Sequence, residues 1–328
     1  MSVRKLYWQG LIDCRNYFRT IDNRLKPFYC PLQQKNNHGI YAVNITAKVG
    51  FFAQLSWCLT ILEHCRRFNL TPHIVLSSPF YTRPSDDNWF EYYFENIKLT
   101  TGNRKNIEMR RISISTISDI EQLGLPSAMG TPMTIGDAKT LLDENVRIKD
   151  EIQDCVESFV AKHFAHKTVL GVHYRGTDKK AEAWPVTLEF CAQTISNYLA
   201  ANPEIDALFV ASDEDSFIEW IETKFTDIEV IHHDDQERSS DGKAIHVQPS
   251  LGDNYIKGKE ALINCLLLSR CSALIRTASF LSAWSSIFNP VLPVIMLNQP
   301  YGEKRWFPDS MIAKNSMDQY LPNPIHHN

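Results

Sequence analysis

The chain has 328 residues, 44% hydrophobic and 22% charged, with a formal net charge of −4. That is ordinary globular composition, long for one core, because single cores stop growing at about 250–300 residues. The mildly acidic balance argues against a nucleic-acid partner. No apolar run approaches the ~18–20 residues of a spanning helix; the strip Val291–Leu297 is only seven residues long and contains a proline.

The N-terminus, Met-Ser-Val-Arg-Lys-Leu-Tyr-Trp-Gln, is basic at its start but has no apolar core of signal-peptide length. The expected location is cytoplasmic. The eight cysteines are scattered without a C-x-x-C pair, which predicts reduced, mostly buried thiols.

Apolar runs alternate with helical periodicity from about residue 39 to 297, the pattern of an α/β protein. Gly39 to Thr46 reads as a strand, Phe51 to Phe68 as a helix with Leu55, Cys58, Leu59, Leu62 and Cys65 at helical spacing, and Pro72 to Ser77 as a strand. The aromatic stretch Trp89 to Phe94 reads as core rather than a sugar-stacking surface. Ile135 to Phe164 reads as one long helix, with a domain boundary near residue 160. The boundary divides the chain into residues 1–160 and 161–328, with the tail 299–328 expected to fold back on the first part.

The second half is expected to run strand Lys167–Tyr174, helix Thr187–Leu199, strand Ala207–Ala211, then a helix capped by Ser212-Asp-Glu-Asp215. Strand Ile228–Ile231, helix Lys257–Arg270, strand Ser272–Ile275, a helix opened by Thr277-Ala-Ser279 and strand Leu292–Leu297 follow.

In open parallel sheets, ligands bind outside the carboxyl ends of the strands. Three strand ends carry polar residues: His173-Tyr-Arg175-Gly-Thr-Asp178-Lys179, Ser212-Asp213, and Arg276-Thr277-Ala-Ser279. Arg175 offers a planar, permanently charged fork that suits phosphate oxygens, or a surface ion pair with a partner such as Asp178. Thr277 and Ser279 stand at a helix N-terminus, where hydroxyls and free N–H groups cap the helix or receive an anion. Asp213 can accept from a base or ribose or cap its helix, and Glu182 can act as a general base or remain an exposed charge.

No G-x-G-x-x-G, H-E-x-x-H or G-x-S-x-G occurs, and Gly252 to Lys259 is an imperfect P-loop. His232-His-Asp-Asp235 reads as a polar strand-end loop rather than a metal site, since adjacent strand residues point to opposite faces. No metal ligand is assigned.

The string His173-Tyr-Arg175-Gly-Thr-Asp178-Lys179-Lys-Ala-Glu182-Ala183 resembles the first motif of the α1,6-fucosyltransferase superfamily, which includes core, nodulation and protein O-fucosyltransferases. Phe209 to Ser216 is similar to its apolar strand ending in acidic residues, and Leu268 to Ser279 to its L-S-x-x-D-x-L-x-x-T-x-S run. The resemblance spans roughly residues 165–290. Before it, Gly50-Phe-Phe-Ala-Gln54-Leu55 loosely resembles a glycine-rich loop opening a helix.

The resemblance implies a GT-B-like fold of two Rossmann-like domains across a cleft and a metal-independent, inverting fucosyl transfer from GDP-fucose to a glycan acceptor of the bacterial surface or lipo-oligosaccharide type. It implies peripheral contact with membrane-linked intermediates and no cofactor beyond the donor. At matched positions, Arg175 grips the diphosphate, His173 lies against the nucleotide, Asp213 contacts guanine or ribose, Thr277 and Ser279 close on the phosphates, and Glu182 is the base, with Lys179 and Asp178 nearby. The family's second arginine is Gly176 here, and Arg238 is the candidate substitute. A different nucleotide sugar, or a non-catalytic nucleotide- or glycan-binding module, is the alternative.

Overall fold

The chain enters its first sheet at β1 (Ile40–Ile45), crosses through helix α1 (Phe51–Arg67) and returns as β2 (Thr71–Leu76), parallel to β1. The computed structural model describes residues 39–84, 86, 88–96, 112–116, 119–120, 133–176, 183–233, 253–298, 307–309 and 311–312. The short helix α2 (Phe90–Tyr93) leads into β3 (Phe94–Asn96), and β4 (Ile112–Ile114) pairs parallel with β1 to give the order β2-β1-β4.

The long helix expected over Ile135–Phe164 is instead α3 (Ile135–Asp143), β5 (Val146–Ile148) and α4 (Asp150–His163). Asn145 turns its amide back onto the Leu141 carbonyl at 2.8 Å, satisfying a carbonyl that a continuing helix would have used. The β-branched pair Val146 and Ile148 then pairs antiparallel with β3, and the Lys149 N–H donates to the Tyr93 carbonyl at 2.9 Å. Asp150 and Glu151 in the first turn of α4 favour its N-terminal dipole.

From α4 onward the strands alternate with helices: β6 (Val169–Tyr174), α5 (Leu188–Ala201), β7 (Ala207–Ser212), α6 (Asp215–Lys224), β8 (Glu229–Ile231), α7 (Asn254–Ser269), β9 (Ala273–Arg276), α8 (Phe280–Phe288) and β10 (Val294–Met296). All five strands are parallel, in the order β10-β9-β6-β7-β8. Helix α7 starts a turn before the expected Lys257 because Asp253 caps it, accepting from the Tyr255 N–H at 3.0 Å.

β6 and β7 are buried along their whole length, the signature of a sheet covered on both faces. Their side chains divide by the period of two. Leu170, Val172, Tyr174, Leu208 and Val210 pack on α5 and α6 through Cys191, Ile195, Phe217 and Ile221. Val169, Ala207, Phe209 and Ala211 face the larger cluster, which contains Leu262 and Leu267 of α7 and Trp284 and Ile287 of α8.

That larger cluster also contains Phe52, Trp57 and Ile61 of α1, Leu141 of α3, and β1. Helix α8 packs against α1 and α3, and α4 against α7. Trp284 Nε1 donates to Ser56 Oγ at 2.8 Å in this buried layer. The aromatic stretch is core, as expected: Trp89, Phe90, Tyr93 and Phe94 are all buried. At the rim, Arg83 makes a bidentate pair with Asp253 (Nε to Oδ1 2.9 Å and to Oδ2 2.8 Å) and lies 4.7 Å over the Tyr255 ring. The Tyr93 hydroxyl donates to the Tyr255 carbonyl at 2.6 Å. Phe307 and Ile312 join the same cluster. Among the described residues no helix is long and apolar enough to cross a membrane.

Candidate functional site

Numbering the strands of the five-stranded sheet in chain order gives 5-4-1-2-3, so the order reverses between β6 and β9. Ligands of such sheets sit outside the carboxyl ends of the strands at that reversal. Arg175 follows β6 and Thr277 follows β9, so the reversal brings together residues that the sequence separates. The Arg175 N–H donates to Thr277 Oγ1 at 2.9 Å, and the Thr277 N–H donates to the His173 carbonyl at 3.0 Å.

His173 is buried in β6, in register with Arg276 of β9 and Ala211 of β7. By strand alternation it lies on the α7 and α8 side. Asp213, one residue beyond β7, approaches Arg175 with Oδ2 3.6 Å from Nε. Asp213 is thus a partner of Arg175; Asp178 lies outside the described residues. Both side chains keep partial solvent access, at 20% and 17%.

Two capping expectations are corrected. The N-cap of α6 is Glu214, and no side chain caps it; Ser212 Oγ instead accepts from the Glu214 N–H at 3.1 Å. Asp213 is drawn to Arg175 rather than to the helix end. Ser279 is the N-cap of α8, but its side chain does not cap. Its Oγ is buried and has no hydrogen-bond partner among the described residues. A buried hydroxyl without a partner is costly, and this one stands at the start of a helix, where an anion is favoured.

The backbone of this turn is fixed by Arg276, whose side chain is fully buried. Its guanidinium donates to Asp309 Oδ1 at 2.5 Å, to Ser282 Oγ at 2.9 Å and to the Ser279 carbonyl at 2.7 Å. Arg276 is therefore a structural arginine, whereas the Arg175 side chain keeps 20% exposure.

Gly176 stands where the resemblance places a second arginine. A Cβ there would lie 2.6 Å from Glu214 Oε1 and 2.9 Å from Tyr174 Cε1. The Tyr174 ring cannot yield easily, because it stacks on Phe217 at 4.3 Å and 9°. The space that a side chain would need is filled. Burial pushes the Tyr174 hydroxyl up to about 12, with the neighbouring Glu214 carboxylate adding to the rise.

Two residues at the site carry no motif. Tyr81 is buried after β2 and accepts from the Phe51 N–H at the start of α1 at 3.0 Å. Burial pushes its phenol up to about 12, opposed by that hydrogen bond and by the nearby positive charge of Arg175. Tyr81 thus ties the loop after β2 to the N-terminus of α1. Asn298, just past β10, accepts from the Ala278 N–H at 2.7 Å and donates to the Trp184 carbonyl at 2.6 Å. The strand-end rule applied to the last strand points to Asn298; nothing local points to Tyr81.

Gln54, part of the glycine-loop resemblance, is structural. It donates to the Val49 carbonyl at 2.9 Å and accepts from Trp89 Nε1 at 3.2 Å. Asp178, Lys179, Glu182 and Arg238 lie outside the described residues.

No protein-family model matches the chain, and no curated protein matches it by sequence. Solved structures do match it by fold. The fucosyltransferase NodZ from Bradyrhizobium is 17% identical, with 79% of this chain and 98% of that one covered and a TM-score of 0.50. POFUT1 in complex with GDP-fucose is 12% identical, with the same coverage of 79% and 98% and a TM-score of 0.50. The chain shares the fold of these fucosyltransferases. The α/β architecture with parallel sheets is the one the motif resemblance implied.

Proposed function

We propose that the protein is a glycosyltransferase that moves fucose from GDP-fucose to a glycan acceptor with inversion. The observation that carries this is the meeting of Arg175 and Thr277 at the strand-order reversal, 2.9 Å apart. Two partly independent signals, a strand-end arginine and a hydroxyl-bearing helix start, converge there. Solved structures that share the fold include the fucosyltransferase NodZ and POFUT1, the latter in complex with GDP-fucose.

In this reading the acceptor hydroxyl attacks the anomeric carbon of the donor as the bond to the diphosphate breaks. The transition state is oxocarbenium-like, and negative charge grows on the leaving GDP. Arg175, Ser279 and the N-terminus of α8 receive that charge, with Thr277 holding the Arg175 backbone. Preorganised donors of this kind contribute about 3–4 kcal/mol each when deleted in other enzymes. His173 and Asp213 flank the nucleotide, Asp213 exchanging Arg175 for the base or ribose. Glu182 takes the proton of the acceptor hydroxyl, with Asp178 and Lys179 beside it, and Arg238 supplies the charge that Gly176 lacks. Residues 161–328 hold the donor and residues 1–160 shape the acceptor side, in the cytoplasm, on an acceptor of surface-glycan type. Arginine and helix dipole carry the charge, so the rate is expected to be insensitive to chelators.

The test is calorimetric titration with GDP and UDP, on the protein and on Arg175→Ala. Binding of GDP alone, lost in the variant, is the expected result and warrants an acceptor screen with GDP-fucose. Binding of UDP instead leaves a glycosyltransferase with a different donor. Binding of neither overturns the reading.

A further inference from the structure

We propose that Trp184, whose backbone carbonyl accepts from Asn298, is a stacking platform for a sugar ring of the acceptor. This rests on the glycosyltransferase reading above and names a residue that receives its acceptor.

Neighbouring residues here have opposite fates. Ala183 is 1% exposed and belongs to the larger core cluster, while Trp184 is 63% exposed. A tryptophan carries one of the largest apolar surfaces of any side chain, and an interior normally takes it up. The fold had alternatives: Trp57, Trp89 and Trp284 are all among its most deeply buried side chains. Trp184 is the most exposed aromatic residue among those described.

The exposed ring sits on a fixed backbone. The Trp184 carbonyl accepts from Asn298, and the Val186 carbonyl accepts from the Tyr174 hydroxyl at 2.9 Å. Between them Pro185 restricts the chain. Thr187 then caps α5, accepting from the Phe190 N–H at 3.2 Å. The backbone that carries the ring is therefore ordered before binding, which lowers the cost of a contact made there.

The same asparagine ties the ring to the donor side. Asn298 Oδ1 accepts from the Ala278 N–H at 2.7 Å, and Ala278 lies between Thr277 and Ser279. One side chain therefore spans from the turn proposed to hold the diphosphate to the carbonyl of the exposed tryptophan. Trp184 also stands two residues after Glu182 in the sequence. A sugar is the occupant that suits this position. The C–H bonds on one face of a pyranose are weakly positive and match the negative face of an indole, while its hydroxyls stay in water. Phe190, 40% exposed in the first turn of α5, has no hydrogen-bonded tie of this kind to the Thr277–Ser279 turn among the described residues and serves as the control.

The experiment follows indole N–H resonances of ¹⁵N-tryptophan-labelled protein, with and without GDP, during titration with chitotetraose, cellotetraose and maltotetraose. Trp184→Phe identifies the resonance of Trp184 by its loss. At least one oligosaccharide is expected to shift that resonance saturably. Trp184→Ala is expected to weaken the binding at least about tenfold, Trp184→Phe by about threefold or less, and Phe190→Ala not at all, as for an aromatic anchor. GDP affinity and thermal midpoint stay unchanged in all three variants. If no oligosaccharide shifts the resonance while GDP binds, the platform fails and the donor reading stands. If the shift and its loss in Trp184→Ala occur without any GDP binding, the platform stands and the donor reading fails. Wild-type saccharide affinity in Trp184→Ala overturns the proposal outright.

Discussion

The Arg175 N–H and Thr277 Oγ1 are 2.9 Å apart, although 102 residues separate them in the chain. The bond joins the ends of β6 and β9, the two strands between which the order of the sheet reverses. It replaces a ladder contact just where the backbones diverge, and so sets the angle at which the arginine leaves the sheet.

Thr277→Val removes the acceptor and keeps the shape, leaving a partly buried N–H without its partner. The expected cost is about 1–3 kcal/mol of stability, read from urea unfolding. GDP affinity should fall with it, since Arg175 loses its anchor. Thr277→Ser retains the hydroxyl and should restore most of both.

Asp309→Ala strands the Arg276 guanidinium in a site with no solvent access. Breaking one partner of a buried pair costs about 3–5 kcal/mol. Asp309→Asn, which keeps an oxygen acceptor, should cost less. Thermal unfolding of the two variants distinguishes charge loss from contact loss.

Gly258→Ala tests a close approach. A Cβ at this position in α7 would lie 2.4 Å from the Tyr93 hydroxyl oxygen and 2.9 Å from Cζ. The ring is fully buried and its hydroxyl is held by the Tyr255 carbonyl, so it has no room to retreat. Overpacking of this kind costs about 1–3 kcal/mol, outweighing any gain in helix propensity. Tyr93→Phe in the same chain relieves the nearest clash and should recover part of the loss in urea unfolding.

Arg83→Gln tests the rim contact between the loop after β2 and the start of α7. The hydrogen bonds from Arg83 hold the Asp253 carboxyl below its ordinary value of 3.8, against a smaller opposing effect of burial. A depressed carboxyl contributes stability that is complete above the unfolded-state pKa and disappears as pH falls through the folded value. Wild type should therefore exceed Arg83→Gln in urea midpoint at neutral pH. The difference should shrink only below about pH 4 and should narrow in high salt.

Much of the second half was legible because doubly buried strands are continuous apolar runs. Val169–Tyr174 and Ala207–Ser212 are fully buried, and their ends mark the polar residues that meet. β3, β4 and β5 were not legible. Each has three residues, and β5 lies between helical patterns that merge across it. Site geometry was legible where a strand end fixed the position, as with Arg175 after β6. It was not where tertiary packing assigned the role. Nothing local distinguishes the buried Arg276 from the open Arg175, nor shows that Ser279 leaves its helix uncapped. Trp184 was passed over beside an aromatic stretch that proved to be core.

The layer containing Trp284 and Ser56 bears on how the chain can be divided. Helices α1, α3, α7 and α8 share one apolar interior, so neither sheet has its helix layer to itself. Two polypeptides made separately on either side of the turn between α4 and β6, where His166 has a φ of 62°, would each present a broad apolar face matched to the other. Mixed together, they should reassemble into one particle, and a protease that nicks the intact protein at that turn should leave the fragments associated until denaturant separates them.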